Sequence, residues 1–208
     1  YIAQKYSGYT EENQQSWRTL YDRQMEYLPT HASEVYLRGA RSINLVRDYI
    51  PYLEGPKSVN TFLAPLTGWQ SRAVPGYLPA KAFFACLARR EFPTTVVIRP
   101  KESLDYLPEP DIFHDIAGHV PMHTDKAFAD TLVRFGDCAH TAAEMTASIR
   151  DEKERARRLT NIIKAMSRFF WFTVEFGLMY SSDGLKAYGS GLLSSRGELE
   201  YAITSPEV

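Results

Sequence analysis

The sequence predicts a mainly α domain, a basket of helices with a few short β-strands, on three observations. Apolar residues recur at helical spacing through several long stretches. Strand-like segments are short and few. With 208 residues, 44% hydrophobic and 13% aromatic, the chain can bury one substantial core.

The elements follow in order. Residues 10–27 open on a Thr suited to capping, carry acidic residues in the first turn, and repeat Trp17, Leu20, Tyr21 and Met25 on one face. Residues 31–49 read as a second helix ending before "IPYLEGPKS", and 58–67 as a short helix stopped by Gly68. "RAVPGYLP" (72–79) is a loop, 80–92 is helical, and "PTTVVIRP" (93–100) is a short strand. Two long helices are expected over 125–147 and 151–180, then loop and short strand over 185–203. The chain opens at Tyr1 without a methionine and stops without a closing element, so a trimmed single catalytic domain over 1–208 is expected.

Composition excludes several function classes. With 24 basic and 25 acidic residues, nothing calls for nucleic acid or an anionic membrane as partner. "RDEKERARR" (150–158) mixes both signs and reads as an exposed helix face. No apolar run reaches the ~18–20 residues of a membrane span, and no leader pattern opens the chain. Cys86 and Cys138 form no CxxC motif and read as reduced thiols, which fits a cytoplasmic protein.

The chemistry centres on "PEPDIFHDIAGHVPM" (108–122), where His114 and His119 lie five apart. Five residues of a regular α-helix turn through ~500°, leaving the two side chains ~140° apart. Gly118 and Pro121 suggest a helix that ends between them, with His119 on the departing turn and both rings converging. Asp111 is placed to cap this helix and to hold a histidine tautomer as a partner behind the ligands. A third ligand is sought in "RFFWFTVEFGLMY" (168–180), which is apolar all round and so expected to be buried. Glu175 is its only carboxylate, and Arg168, two turns away, is too far to neutralise it. Two imidazoles and a carboxylate form a facial set that suits either non-haem Fe(II) or a catalytic zinc. His31, His123 and His140 read as surface or packing residues.

"PEPDIFHDIAGHVP", "WFTVEFGL" and "KAYGSGLLSSRGELEY" together resemble the catalytic domain of the tetrahydropterin-dependent aromatic amino acid hydroxylases, over most of the chain. "GWQSRAVPGYLPAKAFFACLARREFPTTVVIRPKESLDYLPEPD" is similar to the bacterial phenylalanine hydroxylases in particular. The resemblance implies that family's helical catalytic fold and iron held by His114, His119 and Glu175. It puts Asp115 near the pterin, and Val74, Gly76, Tyr77, Leu78, Phe83 and Phe170 around it, with Phe83 stacked on its ring. Arg99, on its own a surface residue at a strand end, becomes the bidentate grip on the substrate carboxylate. Leu107, Pro110, Trp171, Ser194 and Ser195 would complete the substrate pocket. Leu107 stands where animal enzymes carry threonine, and Pro79 and Ala80 where they carry serines.

The implied cofactors are Fe(II) and tetrahydrobiopterin or a related tetrahydropterin, with O2 as co-substrate. The implied activity is an oxidoreductase one, the monooxygenation of L-phenylalanine to L-tyrosine. Tyrosine or tryptophan hydroxylation, or another ring position, stays open, although Trp171 departs from the "FFTVEF" of the tryptophan enzymes. A zinc-dependent hydrolase on the same ligands is the reading from another class, and a metal-stabilised binding module a third. A hydrolase would need neither the pterin loop nor Arg99. No coiled-coil heptads are visible, so a monomer is expected.

Overall fold

The computed structural model describes residues 1–105 and 109–207. Helix α1 (Glu11–Met25) begins in a capping box, in which Thr10 and Asn13 exchange side-chain and backbone hydrogen bonds. Its Trp17 is fully buried and donates its indole N–H to Val46 O at 3.0 Å. The helix expected over 31–49 is shorter. A four-residue α2 (Leu28–His31) is followed by α3 (Glu34–Ser42), capped by the Ser33 hydroxyl. Asn44 then adopts φ 51°, which stops the helix. Helix α4 (Val59–Thr67) ends at Gly68 in the left-handed region, as its sequence indicates.

Strands β1 (Gln70–Val74) and β2 (Glu91–Thr95) pair in parallel, with α5 (Ala80–Leu87) as their crossover. The second strand is displaced from the expected 93–100 because its partner sets its limits. Val74 pairs with Thr95, and Pro75 and Gly76 then turn β1 away. A π-helical segment, His114–His119, runs into α6 (Val120–His123). The long α7 (Lys126–Ala147) and α8 (Glu152–Phe170) start at Asp125 and Asp151, whose carboxylates accept backbone N–H groups. A second π-helical segment, Trp171–Glu175, extends α8. The chain then forms a hairpin of β3 (Leu178–Ser181) and β4 (Gly184–Ala187). The 151–180 helix therefore ends early, and 185–203, expected as loop and strand, holds two further helices, α9 (Ser190–Leu193) and α10 (Arg196–Thr204).

One large core joins Trp17, Trp69, Phe84, Phe92, Phe113 and Ile116 with α7 and the end of α8. A second packs α2 and α3 against Met122, β4, α9 and α10. At ~1.5–3 kcal/mol per large buried side chain, these clusters supply most of the driving force for folding. The site lies where they meet, because the first π segment and α6 run from one into the other. The stretch 168–180 is not buried all round, as its composition suggests. Phe170 and Val174 face the core, while Phe169 (63%), Trp171 (46%) and Phe172 (74%) remain exposed.

Candidate functional site

The helix carrying the two histidines does not end at Gly118. It is wound more widely, with the i→i+5 pairing of a π-helix, so residues five apart come to one face. That solves the spacing problem without a break. Gly118 does not need a positive φ; it permits close approach. A Cβ there would lie 2.8 Å from Ser190 O, on α9. The second π segment does the same for the carboxylate. Phe176 N–H bonds Trp171 O at 3.0 Å, five residues back, and the wider turn faces Glu175 toward the histidines.

The three side chains converge. His119 Nε2 lies 3.1 Å from Glu175 Oε1, His114 Nε2 lies 3.6 Å from Glu175 Oε2, and the two Nε2 atoms are 3.2 Å apart. Two donors each ~2.1 Å from a shared ion lie ~3.0–3.5 Å apart at right-angled or tetrahedral bond angles, so these atoms suit one cation. The tautomer agrees. Ser194 donates its hydroxyl proton to Ser190 O at 2.7 Å, so it accepts from His114 Nδ1 at 2.8 Å. This assigns the His114 Nε2 lone pair to the cluster, where it faces carboxylate and imidazole and a cation removes the repulsion. Burial pushes His114 down to about 4, leaving it neutral near pH 7. Burial would raise Glu175, but the His119 imidazole and the Ser190 hydroxyl outweigh it and hold the carboxyl down at about 2.

Asp115 also brings a carboxylate oxygen within 4.8 Å of both imidazoles. Its Oδ2, however, accepts the Thr95 N–H and the Thr95 hydroxyl, both at 2.7 Å. Burial pushes this carboxyl up to about 7 against those two hydrogen bonds. Glu175 is nearer and carries full charge, and it is the better third donor.

Asp111 caps the first π segment through His114 N–H at 2.9 Å, as its position suggests. It does not touch an imidazole. Its two oxygens receive Arg99 Nε at 2.8 Å and a terminal Arg99 nitrogen at 2.7 Å, and the partner behind His114 is Ser194. Burial opposes ionisation of Asp111, yet the guanidinium beside it holds its carboxyl below the usual range. Arg99 is correspondingly no surface residue: it is 4% exposed, and its other terminal nitrogen bonds Asp105 O at 2.8 Å. Among the described residues three of its five N–H groups are used, which leaves one on each terminal nitrogen.

A cavity of about 260 Å³ opens above the three donors. Its wall includes Val74, Gly76, Tyr77, Leu78, Phe83 and Phe170. Arg99, Pro110, Asp115, Trp171, Ser194 and Ser195 also line it. Leu107 lies outside the described residues. Phe83 meets Phe84, Phe92 and Phe170 edge-on, which fixes its ring while leaving it partly exposed. Sequence reasoning missed Thr95, Ser190, Phe176, which packs 4.7 Å from Trp171, and Phe92, which packs 4.6 Å from His119. None carries a local pattern, and Thr95, Ser190 and Phe92 act through neighbours distant in sequence.

The family model of biopterin-dependent aromatic amino acid hydroxylases matches residues 5–208. The phenylalanine-4-hydroxylase of Caulobacter vibrioides is 41% identical over 99% of this chain, which spans 64% of that protein. Phenylalanine hydroxylase of Chromobacterium violaceum, in a structure with iron(III) and 7,8-dihydrobiopterin, superposes with a TM-score of 0.85 at 36% identity, covering 98% of this chain and 68% of that one. A structure of the same enzyme with iron and phenylalanine superposes with a TM-score of 0.83 at 34% identity, covering 99% and 68%. Two converging π segments, a three-donor cluster beneath an aromatic cavity and a match along nearly its whole length lead to one conclusion: this chain belongs to the biopterin-dependent aromatic amino acid hydroxylases.

Proposed function

We propose that this chain is the catalytic domain of an iron(II)- and tetrahydropterin-dependent monooxygenase that converts L-phenylalanine to L-tyrosine. The observation that carries this reading is the set of His114, His119 and Glu175 donors, 3.1–3.6 Å apart, at the base of an aromatic-walled cavity. Relatives 41% and 39% identical over 99% and 98% of this chain are phenylalanine-4-hydroxylases. The chain spans less than two thirds of the length of the Caulobacter relative, so the activity is proposed for this domain in its whole protein.

His114, His119 and Glu175 would hold Fe(II), a facial set that leaves positions open. With the bound tetrahydropterin supplying two electrons, that centre would put one atom of O2 into the substrate ring and leave the other on the pterin. The remaining work falls to the chain's own residues. Phe83 offers its face to a flat heterocycle, and the backbone of Val74, Gly76, Tyr77 and Leu78 lies along the same wall. Arg99, fixed by Asp111, presents its two remaining N–H groups to a carboxylate. Pro110, Trp171 and Phe176 offer an apolar surface for the substrate ring, with Ser194 and Ser195 beside it. Asp115, kept in place by Thr95, can hold a proton near neutral pH next to the donor set. Leu107 is retained in the substrate pocket on the resemblance alone. The two thiols are unpaired, and among the described residues no helix is long and apolar enough to cross a membrane. We place the protein in the cytoplasm as a monomer.

The test is aerobic turnover with Fe(II), a tetrahydropterin, and Phe, Tyr or Trp in parallel, with products identified by chromatography and mass. Pterin-dependent tyrosine from phenylalanine is expected. A product from tyrosine or tryptophan alone, or a different hydroxyphenylalanine, would change the substrate or ring position. Turnover that needs no pterin, or zinc-supported hydrolysis, would overturn the proposal.

A further inference from the structure

Ser190 was not among the residues that the sequence singled out, and nothing in the pterin or substrate walls calls for it. It is 2% exposed and opens α9. Its hydroxyl lies 2.8 Å from Glu175 Oε2 and 3.3 Å from Val174 O. A hydroxyl has one proton, and the shorter contact, to a charged oxygen, is the stronger acceptor. The two carboxylate oxygens are therefore unlike. Oε1 turns to His119 at 3.1 Å, while Oε2, farther from its nearest imidazole at 3.6 Å, is tied by Ser190.

The backbone makes this tie rigid. A Cβ on Gly189 would lie 2.5 Å from Glu175 O and 2.3 Å from Gly177 N, so the entry to α9 is pressed against the chain that carries the carboxylate. One turn later, Ser194 bonds both Ser190 O and His114 Nδ1. The short helix α9 thus reaches two of the three donors from behind.

We propose that Ser190 is a positioning residue that restricts Glu175 to binding the metal through one oxygen. The inference rests on the metal reading above. A carboxylate bound through both oxygens would occupy a further coordination position, whereas one bound through Oε1 leaves that position for oxygen or substrate. Removing the hydroxyl frees Oε2 to turn onto the ion.

Cobalt(II) is the probe, because its visible bands change in intensity with coordination number. In the purified chain, Ser190→Ala should change the intensity of these bands and weaken Co(II) affinity roughly 10-fold, the lower range for partners behind metal ligands. The melting temperature of the metal-free protein should fall by only a few degrees, as for one lost buried hydrogen bond. Ser190→Thr and Ser190→Val give a shape-matched pair that decides the matter even if Ser190→Ala does not fold. Thr keeps the hydroxyl and should keep the wild-type spectrum, and Val should show the altered one. Identical spectra for wild type and Ser190→Ala, or for Thr and Val, would overturn the proposal while leaving the metal site standing. A wild-type chain that binds no Co(II) would instead remove the metal reading, and this inference with it.

Discussion

The two π-helical segments make the same geometric adjustment in different surroundings. His114–His119 is enclosed: Asp111 caps it, Gly118 lies against α9, and Phe92 packs on His119. Trp171–Glu175 is open on one side, with Phe172 74% exposed, and its carboxylate is steadied by a single hydroxyl. An extra residue per turn strains a helix, and packing must hold it. The first segment is packed on every side but the one that lines the cavity. The second is held by its inner face, and a metal at the proposed site would complete its support.

The largest expected effect tests the open segment. Glu175→Gln keeps the shape and removes the charge that faces the two imidazoles. Iron affinity should fall by more than about 100-fold, since changes behind the ligands alone cost up to that much. Coupled turnover should vanish with it. Full iron occupancy in metal analysis would show that Glu175 is not a ligand.

The enclosed segment depends most on Asp111. Asp111→Ala leaves the buried Arg99 guanidinium without its partner and the segment without its cap. The cost should be about 3–5 kcal/mol, as for other broken buried ion pairs. Chemical denaturation of the metal-free protein measures this directly, and a loss below about 1 kcal/mol would show that the first segment does not rely on its clamp.

His123, just beyond the first segment, sharpens the contrast. It is wholly buried, packed on Trp69 and Phe92, and neither ring nitrogen has a partner among the described residues. Burial holds its pKa well below 6.5. The unfolded chain then takes up a proton near pH 6.5 that the folded chain refuses, so this group's share of stability is complete above that pH and declines as pH falls below it. His123→Phe should raise stability near pH 7 by about 1–2 kcal/mol, because unpartnered buried polar atoms are removed. It should also shrink the drop in melting temperature between pH 7 and pH 5. An unchanged drop would assign the acid sensitivity to His114, which is also depressed by burial.

The smallest effect belongs to the open face. Phe172→Ser should change stability by no more than about 0.5 kcal/mol, the usual range for an exposed site. A larger loss in calorimetry would mean that the second segment is held from outside as well.

Much of this was legible in order of residues. The cap at Thr10, the stop at Gly68 and the long α7 all follow from local rules. The unusual five-residue spacing of His114 and His119, and the lone carboxylate in an apolar run, marked the three donors. The expected break at Gly118 was wrong because spacing reports that two side chains must converge, not how the backbone achieves it. The helices hidden in 185–203 were missed because Gly189 and Gly191 read as loop residues. In the fold they let α9 press on Glu175 and Phe176.

The sequence by itself determined a helical domain, its caps and stops, and which side chains could serve a metal, because these depend on residues a few positions apart. Tertiary structure alone decided the π winding and the end of β2. It also buried Arg99 against Asp111, assigned the His114 tautomer through Ser194, and brought Ser190 to one oxygen of Glu175. Each of these depends on atoms far apart in the chain, and the energy of a hydrogen bond or a close contact is set by distance in space.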